Sequence, residues 1–183
     1  MNLRLVTLLV AIAYFLSGCN SSNNALPILV DTPEFSLQDF NAANIKKSDL
    51  IGHVTAINFF FTSCPEVCPT VNGKISILAN DLKSNSIVQF ISVSIDPDTD
   101  SALELKKYAK RFKAEGTNWH LTRAPIEEVK KMAAGLEVEA GESNELHTTR
   151  VAIIDKAGKL RALMDAMDQD ATQKIRDAIL GLE

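Results

Sequence analysis

The chain has 183 residues, of which 46% are hydrophobic and 23% are charged, and its formal net charge at pH 7 is −4. This length suits one globular domain with a full hydrophobic core, so we do not expect a second domain. The acidic balance, and the lack of a Lys and Arg cluster interleaved with aromatics, exclude a nucleic-acid-binding protein.

The first 18 residues have the pattern of an export signal. Arg4 lies near the start, and the apolar run from Leu5 to Leu16 is too short to span a bilayer comfortably. The residues that end this segment, Leu16-Ser17-Gly18-Cys19, resemble the lipobox of bacterial lipoproteins, in which the cysteine is acylated and becomes the new N-terminus. The alternative is an ordinary cysteine after a cleaved secretory peptide.

The lipobox resemblance implies three segments. Residues 1–18 would be a lipoprotein signal peptide, and residues 19–31 would hold the lipidated Cys19 and a flexible tether, since the run from Asn20 to Ala25 is polar. The folded domain would span residues 32–183. We expect the protein to be exported and held by lipid at the extracytoplasmic side of a membrane, which faces the periplasm in a Gram-negative source.

The first strong structural signal is the run from Val54 to Phe61, which is almost continuously apolar and predicts a strand buried on both faces. The segment from Cys64 to Cys68 follows it. Apolar residues then recur at helical spacing, at Val71, Ile75, Leu78, Ala79 and Leu82. The order is therefore strand, cysteine loop, helix.

The rest of the chain alternates strands and helices before it ends in a hairpin and a helix. A turn at Asp96-Pro97 and a capping box from Ser101 to Glu104 separate the second strand from its helix. The predicted elements are a strand at 87–95, a helix after Ser101, a short strand at 119–122, a helix from Pro125, strands at 151–154 and 160–164, and a final helix through Ile175 and Ile179.

This order predicts an α/β protein with a thioredoxin-like fold, in which helices flank a central mixed sheet. Compared with the basic fold, the chain has an extra βα segment between its halves and an N-terminal extension from Phe35 to Leu50.

The chain has three cysteines, and if Cys19 carries lipid, Cys64 and Cys68 are the two thiols of the folded part. Such a pair can form a redox-active disulfide, bind a soft metal or form a structural disulfide. We favour the first two, because a structural disulfide mainly serves domains too small to build a core.

The position of Pro69 predicts how the pair is arranged. Proline disfavours helical geometry in the preceding residue and suits the first helical turn, so we expect Cys68 at the N-cap and Cys64 at the strand end. The free N–H groups and the dipole of the helix start would stabilise thiolate and lower the pKa of the pair.

The spacing of the cysteines favours a metal over rapid disulfide exchange. It is wider than the Cys-x-x-Cys of thioredoxin, and Glu66 between the cysteines adds negative charge that attracts a cation. Thiolates are soft ligands that suit Cu(I), and one added imidazole gives a Cys₂His set that copper accepts in either oxidation state.

Three segments, in this order along the chain, resemble the Sco/SenC family of copper metallochaperones. They are Asn58 to Thr70 with both cysteines, Ser94 to Asp100 with the Asp96-Pro97 turn, and Leu146 to Thr149 with a histidine. The resemblance covers the chain from about Thr32 to its end. It implies a thioredoxin fold and a role in assembling the copper centre of cytochrome c oxidase.

Carried over to this chain, the resemblance implies that Cys64, Cys68 and His147 bind copper, as Cu(I) or Cu(II). The implied partner is the apo copper subunit of a respiratory oxidase or another copper or thiol protein, and the implied role is delivery rather than enzymatic turnover. We expect His53 and His120 to be ordinary surface or core-edge residues.

A thiol-disulfide oxidoreductase, which keeps the cysteines of target proteins reduced, is the alternative from another class. In that case Cys64 would attack the target and Cys68 would resolve the mixed disulfide, with a Cys64–Cys68 disulfide as the oxidised form. A thiol peroxidase is less favoured because nothing in the sequence indicates a peroxide pocket.

Overall fold

The structure is a computed structural model that describes residues 26–138 and 148–183. Within them, helices cover a single eight-stranded sheet. The strands are β1 (Val30–Asp31), β2 (Ser36–Asp39), β3 (Asn44–Lys46), β4 (Val54–Phe60), β5 (Val88–Ser94), β6 (Trp119–Arg123), β7 (Arg150–Ile154) and β8 (Lys159–Asp165). The helices are α1 (Val67–Asp81), α2 (Ala102–Arg111), α3 (Ile126–Gly135) and α4 (Ala171–Leu180), with a short 3-10 helix over Lys47–Leu50.

The centre of the sheet is parallel and its sides are antiparallel. The strand order is β1-β8-β7-β4-β5-β6-β2-β3. Strands β4, β5 and β6 are parallel, whereas β7 and β2 run antiparallel to the strands beside them. This confirms the predicted α/β class with a central mixed sheet, and β6 with α3 forms the predicted extra segment between the halves of the fold.

Hydrophobic side chains cover both faces of the sheet. On one face the core includes side chains of α1, α2 and α4, and on the other it includes side chains of α3 and the 3-10 helix. All seven residues of β4 are buried, because this strand lies between two neighbours and is covered on both faces. That position explains its nearly continuous apolar sequence.

A chain of buried polar side chains connects α1 to the sheet. Trp119 Nε1 donates to Ser92 Oγ (2.9 Å), which donates to Asn58 Oδ1 (2.6 Å). Asn58 Nδ2 donates to Asn72 Oδ1 (2.9 Å), and Asn72 Nδ2 donates to the Tyr108 hydroxyl (3.1 Å). Since a buried polar group without a partner costs about 1–3 kcal/mol, this network favours one placement of α1 on the sheet.

The sheet includes residues just before the predicted domain start at residue 32. Strand β1 pairs antiparallel with β8, and the Leu29 N–H donates to the Leu160 carbonyl (2.8 Å). Strand β1 therefore pairs the backbone at the start of β8, at Lys159 and Leu160, on the side that faces away from β7. The predicted signal segment at 1–18, and Cys19, lie outside the described residues. In the described part of the chain, no helix has the length and apolarity needed to cross a bilayer.

Candidate metal centre

The two cysteines lie at the edge of the sheet where the parallel strands end. Strand β4 ends at Phe60, and the Cys64 N–H donates to the Phe61 carbonyl (3.3 Å) in a turn that leads toward α1. The N-cap of α1 is Glu66, so Cys68 is the second residue of the helix. Loops at this edge of a parallel sheet are the usual place for a binding site.

The predicted arrangement of the pair was wrong in detail. Cys68 is not the N-cap but lies in the first helical turn, and Cys64 is not at the strand end but in the loop after it. Pro69 is therefore the third helical residue, where its missing N–H removes no hydrogen bond because the first N–H groups of a helix have no intrahelical partner. The helix thus begins two residues earlier than the proline indicated.

The helix start stabilises the Cys64 thiolate. Burial opposes ionisation of this thiol, but several hydrogen bonds outweigh it and lower its pKa. They come from the Cys68 N–H, which lies 3.4 Å from Cys64 Sγ, from the Cys68 thiol, and from the N–H groups of Glu66 and Val67. The prediction of a thiolate-favouring helix start is therefore confirmed for Cys64.

Cys68 behaves in the opposite way. Its side chain is buried, and burial, together with the hydrogen bond between its thiol and Cys64, raises its pKa to about 12. The expectation that both thiols would ionise easily was wrong for Cys68. This residue lies in the first turn of α1 with its side chain buried in the core, and burial disfavours the thiolate. Both cysteines are free in the structure, and the pKa of Cys64 is lowered whereas that of Cys68 is raised.

His147 lies outside the described residues. The described chain resumes at Thr148, and β7 begins two residues later at Arg150. Because β7 is antiparallel to β4, the chain enters β7 at the edge of the sheet where β4 ends and the cysteine loop begins. Among the residues that the structure describes, no three Cys, His, Asp or Glu side chains are grouped as metal ligands.

The other two histidines lie elsewhere. His120 Nδ1 is 3.0 Å from Asp39 Oδ2, an ion pair that joins β6 to β2 when the imidazole is protonated. His53 precedes β4, at the opposite edge of the sheet from the cysteine loop. The structure therefore does not bring either histidine to the cysteines.

Asp100 is a residue of this edge whose contact with the cysteine loop the sequence pattern does not predict. Its side chain is fully buried, and its carboxylate accepts hydrogen bonds from Thr62, two residues before Cys64. The sequence pattern of this segment predicts a turn followed by a helix cap. The place of Asp100 directly before the N-cap Ser101 gave no signal of this contact, because the partner Thr62 is far away in the sequence.

Comparison with known proteins gives one consistent family. The SCO1/SenC family model matches residues 29–180. The SCO1 protein homolog of Bacillus subtilis is 28% identical over 153 residues, which are 80% of this chain and 79% of that protein.

Solved structures share the fold. The structure of Bradyrhizobium japonicum ScoI with copper bound superposes with a TM-score of 0.70 at 21% identity, covering 85% of this chain and 100% of that one. BsSco, described as a member of the Sco family of cytochrome c oxidase assembly proteins with a disulfide switch, gives a TM-score of 0.73 at 23% identity. That match covers 85% of this chain and 95% of BsSco.

Because the two thiols differ in pKa and burial, they should be alkylated at different rates. In the reduced protein at pH 8, iodoacetamide should alkylate Cys64 at least about tenfold faster than Cys68, because the reagent attacks thiolate and Cys68 is buried and protonated. Peptide mass spectrometry of timed samples measures both rates. In urea the two rates should converge, and equal rates in the folded protein would contradict the assignment.

Proposed function

Because the chain belongs to the SCO1/SenC family, we propose that it is a copper metallochaperone that delivers copper to a respiratory oxidase during cytochrome c oxidase assembly. The observation that carries the proposal is the pair of free thiols at the helix start, with Cys64 Sγ 3.4 Å from the Cys68 N–H. The copper-bound ScoI structure and the assembly role stated for BsSco support the same cargo and the same purpose.

The proposed ligands are the sulfurs of Cys64 and Cys68 and the imidazole of His147. Two thiolates form a soft donor pair that suits Cu(I), and an imidazole completes a set that also accepts Cu(II). The donor chemistry fits copper, since both thiols are free and their side chains already share a hydrogen bond. The described chain resumes at Thr148, the residue after His147 in the sequence, and enters β7 at the edge of the sheet where the cysteine loop begins.

The difference in pKa and burial between the two thiols suggests how copper would be loaded and released. The Cys64 thiolate, which is half-buried, would be the first ligand to meet incoming copper. Binding of copper by Cys68 requires loss of its proton, so loading releases a proton and weakens as the pH falls. Delivery would occur by ligand exchange, with the more accessible Cys64 sulfur as the last protein ligand to leave.

Copper titration tests the three ligands. The reduced wild-type protein should bind about one Cu(I) per chain, and Cys64→Ser or Cys68→Ser should abolish tight binding because a single thiolate remains. His147→Ala should abolish tight Cu(II) binding, whereas the matched control His53→Ala should leave it unchanged. Ligand competition monitored by absorbance measures each affinity. Full copper loading of Cys64→Ser would overturn the proposal.

A thiol-disulfide oxidoreductase is the second candidate, and the difference between the thiols favours it. A half-buried cysteine with a lowered pKa beside a buried, protonated one is the arrangement of an attacking and a resolving thiol. The disulfide switch stated for BsSco supports redox chemistry in a related fold. The target would be a disulfide in another exported protein.

Trapping tests the redox candidate. Cys68→Ser should accumulate mixed disulfides with target proteins, because the resolving thiol is missing, while Cys64→Ser should trap none. Non-reducing gels of cells that produce each variant measure this. If Cys68→Ser traps no partner, or if loss of His147 alone abolishes activity in cells, the redox role is rejected in favour of copper delivery.

We also propose that lipid on Cys19 anchors the domain at the extracytoplasmic face of a membrane. The supporting feature is the Leu16-Ser17-Gly18-Cys19 sequence after an apolar segment. Only six residues separate Cys19 from Leu26, so the anchor would keep the domain within roughly 25 Å of the bilayer surface.

Fractionation tests the anchor. The wild-type protein should sediment with membranes and incorporate labelled palmitate, whereas Cys19→Ala should lose the label and its membrane association. Cys64→Ser is the matched control, because it removes a thiol outside the lipobox and should still be labelled. A wild-type protein without label would contradict the assignment.

A further inference from the structure

Asp100 joins two loops at the sheet edge that holds the cysteines. Its carboxylate oxygens lie 3.2 and 3.1 Å from the Thr62 backbone N–H, and Oδ1 also accepts from the Thr62 hydroxyl (2.5 Å). Ser94 Oγ donates to Oδ2 (2.6 Å). The carboxylate therefore binds the cysteine loop on one side and the end of β5 on the other.

The backbone around Asp100 holds the carboxylate in place. The Asp100 N–H donates to the Asp96 carbonyl (2.9 Å), and the Asp96 N–H donates to Ser94 Oγ (3.1 Å). Arg123 donates from the end of β6 to the Asp100 carbonyl (3.3 Å). These contacts close a turn between β5 and α2, so the side chain has a fixed position from which to hold Thr62.

The relative position of the two cysteine sulfurs depends on the conformation of the loop between β4 and α1. Thr62 is two residues before Cys64, and the Cys64 N–H bonds back to the Phe61 carbonyl (3.3 Å). Cys68 is held separately by α1. The distance and direction between the two sulfurs therefore depend on where the loop holds Cys64, and in the described chain Asp100 supplies the side-chain hydrogen bonds that fix Thr62.

We propose that Asp100 is a positioning residue for the metal centre, which acts through Thr62 to keep the Cys64 sulfur directed at the same cation as the Cys68 sulfur. The effect on copper binding rests on the proposed copper site. The hydrogen bonds of Asp100 to Thr62 and Ser94 do not depend on that proposal. The carboxylate accepts from the Thr62 N–H, the Thr62 hydroxyl and the Ser94 hydroxyl, so both of its oxygens are used. Buried carboxylates are costly and are retained where such contacts satisfy them.

Replacement of Asp100 should weaken copper binding without removing a ligand. In Asp100→Asn, one carboxylate oxygen becomes an NH₂ donor and the negative charge is lost, so the Thr62 N–H, which lies near both oxygens in the wild-type protein, keeps at most one uncharged acceptor. Loss of residues that orient metal ligands typically weakens metal affinity by about 10- to 100-fold, and we expect a weakening of Cu(I) affinity in this range. Asp98→Asn is the matched control, because Asp98 is exposed in the same turn and should change affinity less than about twofold.

Two further variants separate positioning from stability. Ser94→Ala removes a hydrogen bond to the same carboxylate but leaves Thr62 bound, so it should lower the melting temperature and keep Cu(I) affinity within about threefold of wild type. Thr62→Val should weaken affinity by about three- to tenfold, since it removes the hydroxyl hydrogen bond, while Thr62→Ser should restore it. Ligand competition at 25 °C measures each affinity, and circular dichroism checks the fold.

Amide hydrogen exchange in the reduced, copper-free protein gives an independent measurement. The Thr62 amide should exchange at least about tenfold faster in Asp100→Asn than in Asp98→Asn or Ser94→Ala, because its acceptor is weakened. Equal exchange at Thr62, or folded Asp100→Asn with the affinity of Asp98→Asn, would overturn the inference. If Asp100→Asn does not fold, equal affinities of Thr62→Val and Thr62→Ser would overturn it instead.

The same experiments separate this inference from the copper proposal. If the wild-type protein does not bind Cu(I), the proposed function fails, yet the exchange contrast at Thr62 still decides whether Asp100 holds the loop. If wild type binds Cu(I) and the Asp100 and Asp98 variants bind equally, the copper proposal stands and the positioning role fails.

Discussion

The parallel pairing of β4 with β5 is the constraint on which the site depends. Their register runs from Val54 opposite Val88 to Phe60 opposite Ser94, so both strands end at the same level. The loop that holds the cysteines and the turn that holds Asp100 therefore leave the sheet side by side, although 35 residues separate Cys64 from Asp100. Their hydrogen bonds are possible because the strand ends coincide.

The helix that follows the cysteine loop gives the two thiols different properties. Cys64 precedes the helix and receives its free N–H groups, whereas Cys68 is inside the first turn and faces the core. A site with one accessible thiolate and one buried thiol can take up a soft cation, and it can also exchange disulfides. Both proposed roles, copper delivery and thiol exchange, would use this difference between the thiols, and the proposed ligand His147 would be needed for copper delivery alone.

The fold was largely predictable, and the reason is physical. Burial on both faces gives β4 an apolar run, and helix packing repeats apolar residues such as Val71, Ile75 and Leu78, so local sequence carries the signal of the tertiary environment. The helix start was less predictable. Proline is compatible with several positions of the first turn, and the two-residue difference reversed the expected ionisation of Cys68.

The sequence by itself determined the element order, the paired thiols and the family resemblance, because these depend on composition, spacing and local periodicity. Only the tertiary structure decided that the pKa of Cys64 is lowered while that of Cys68 is raised, and that Asp100 holds Thr62 in the cysteine loop. Both depend on burial and on contacts between residues far apart in the chain, such as Thr62 with Asp100, and no local pattern reports such contacts. They arise from the strand pairing that brings the two loops to one edge of the sheet.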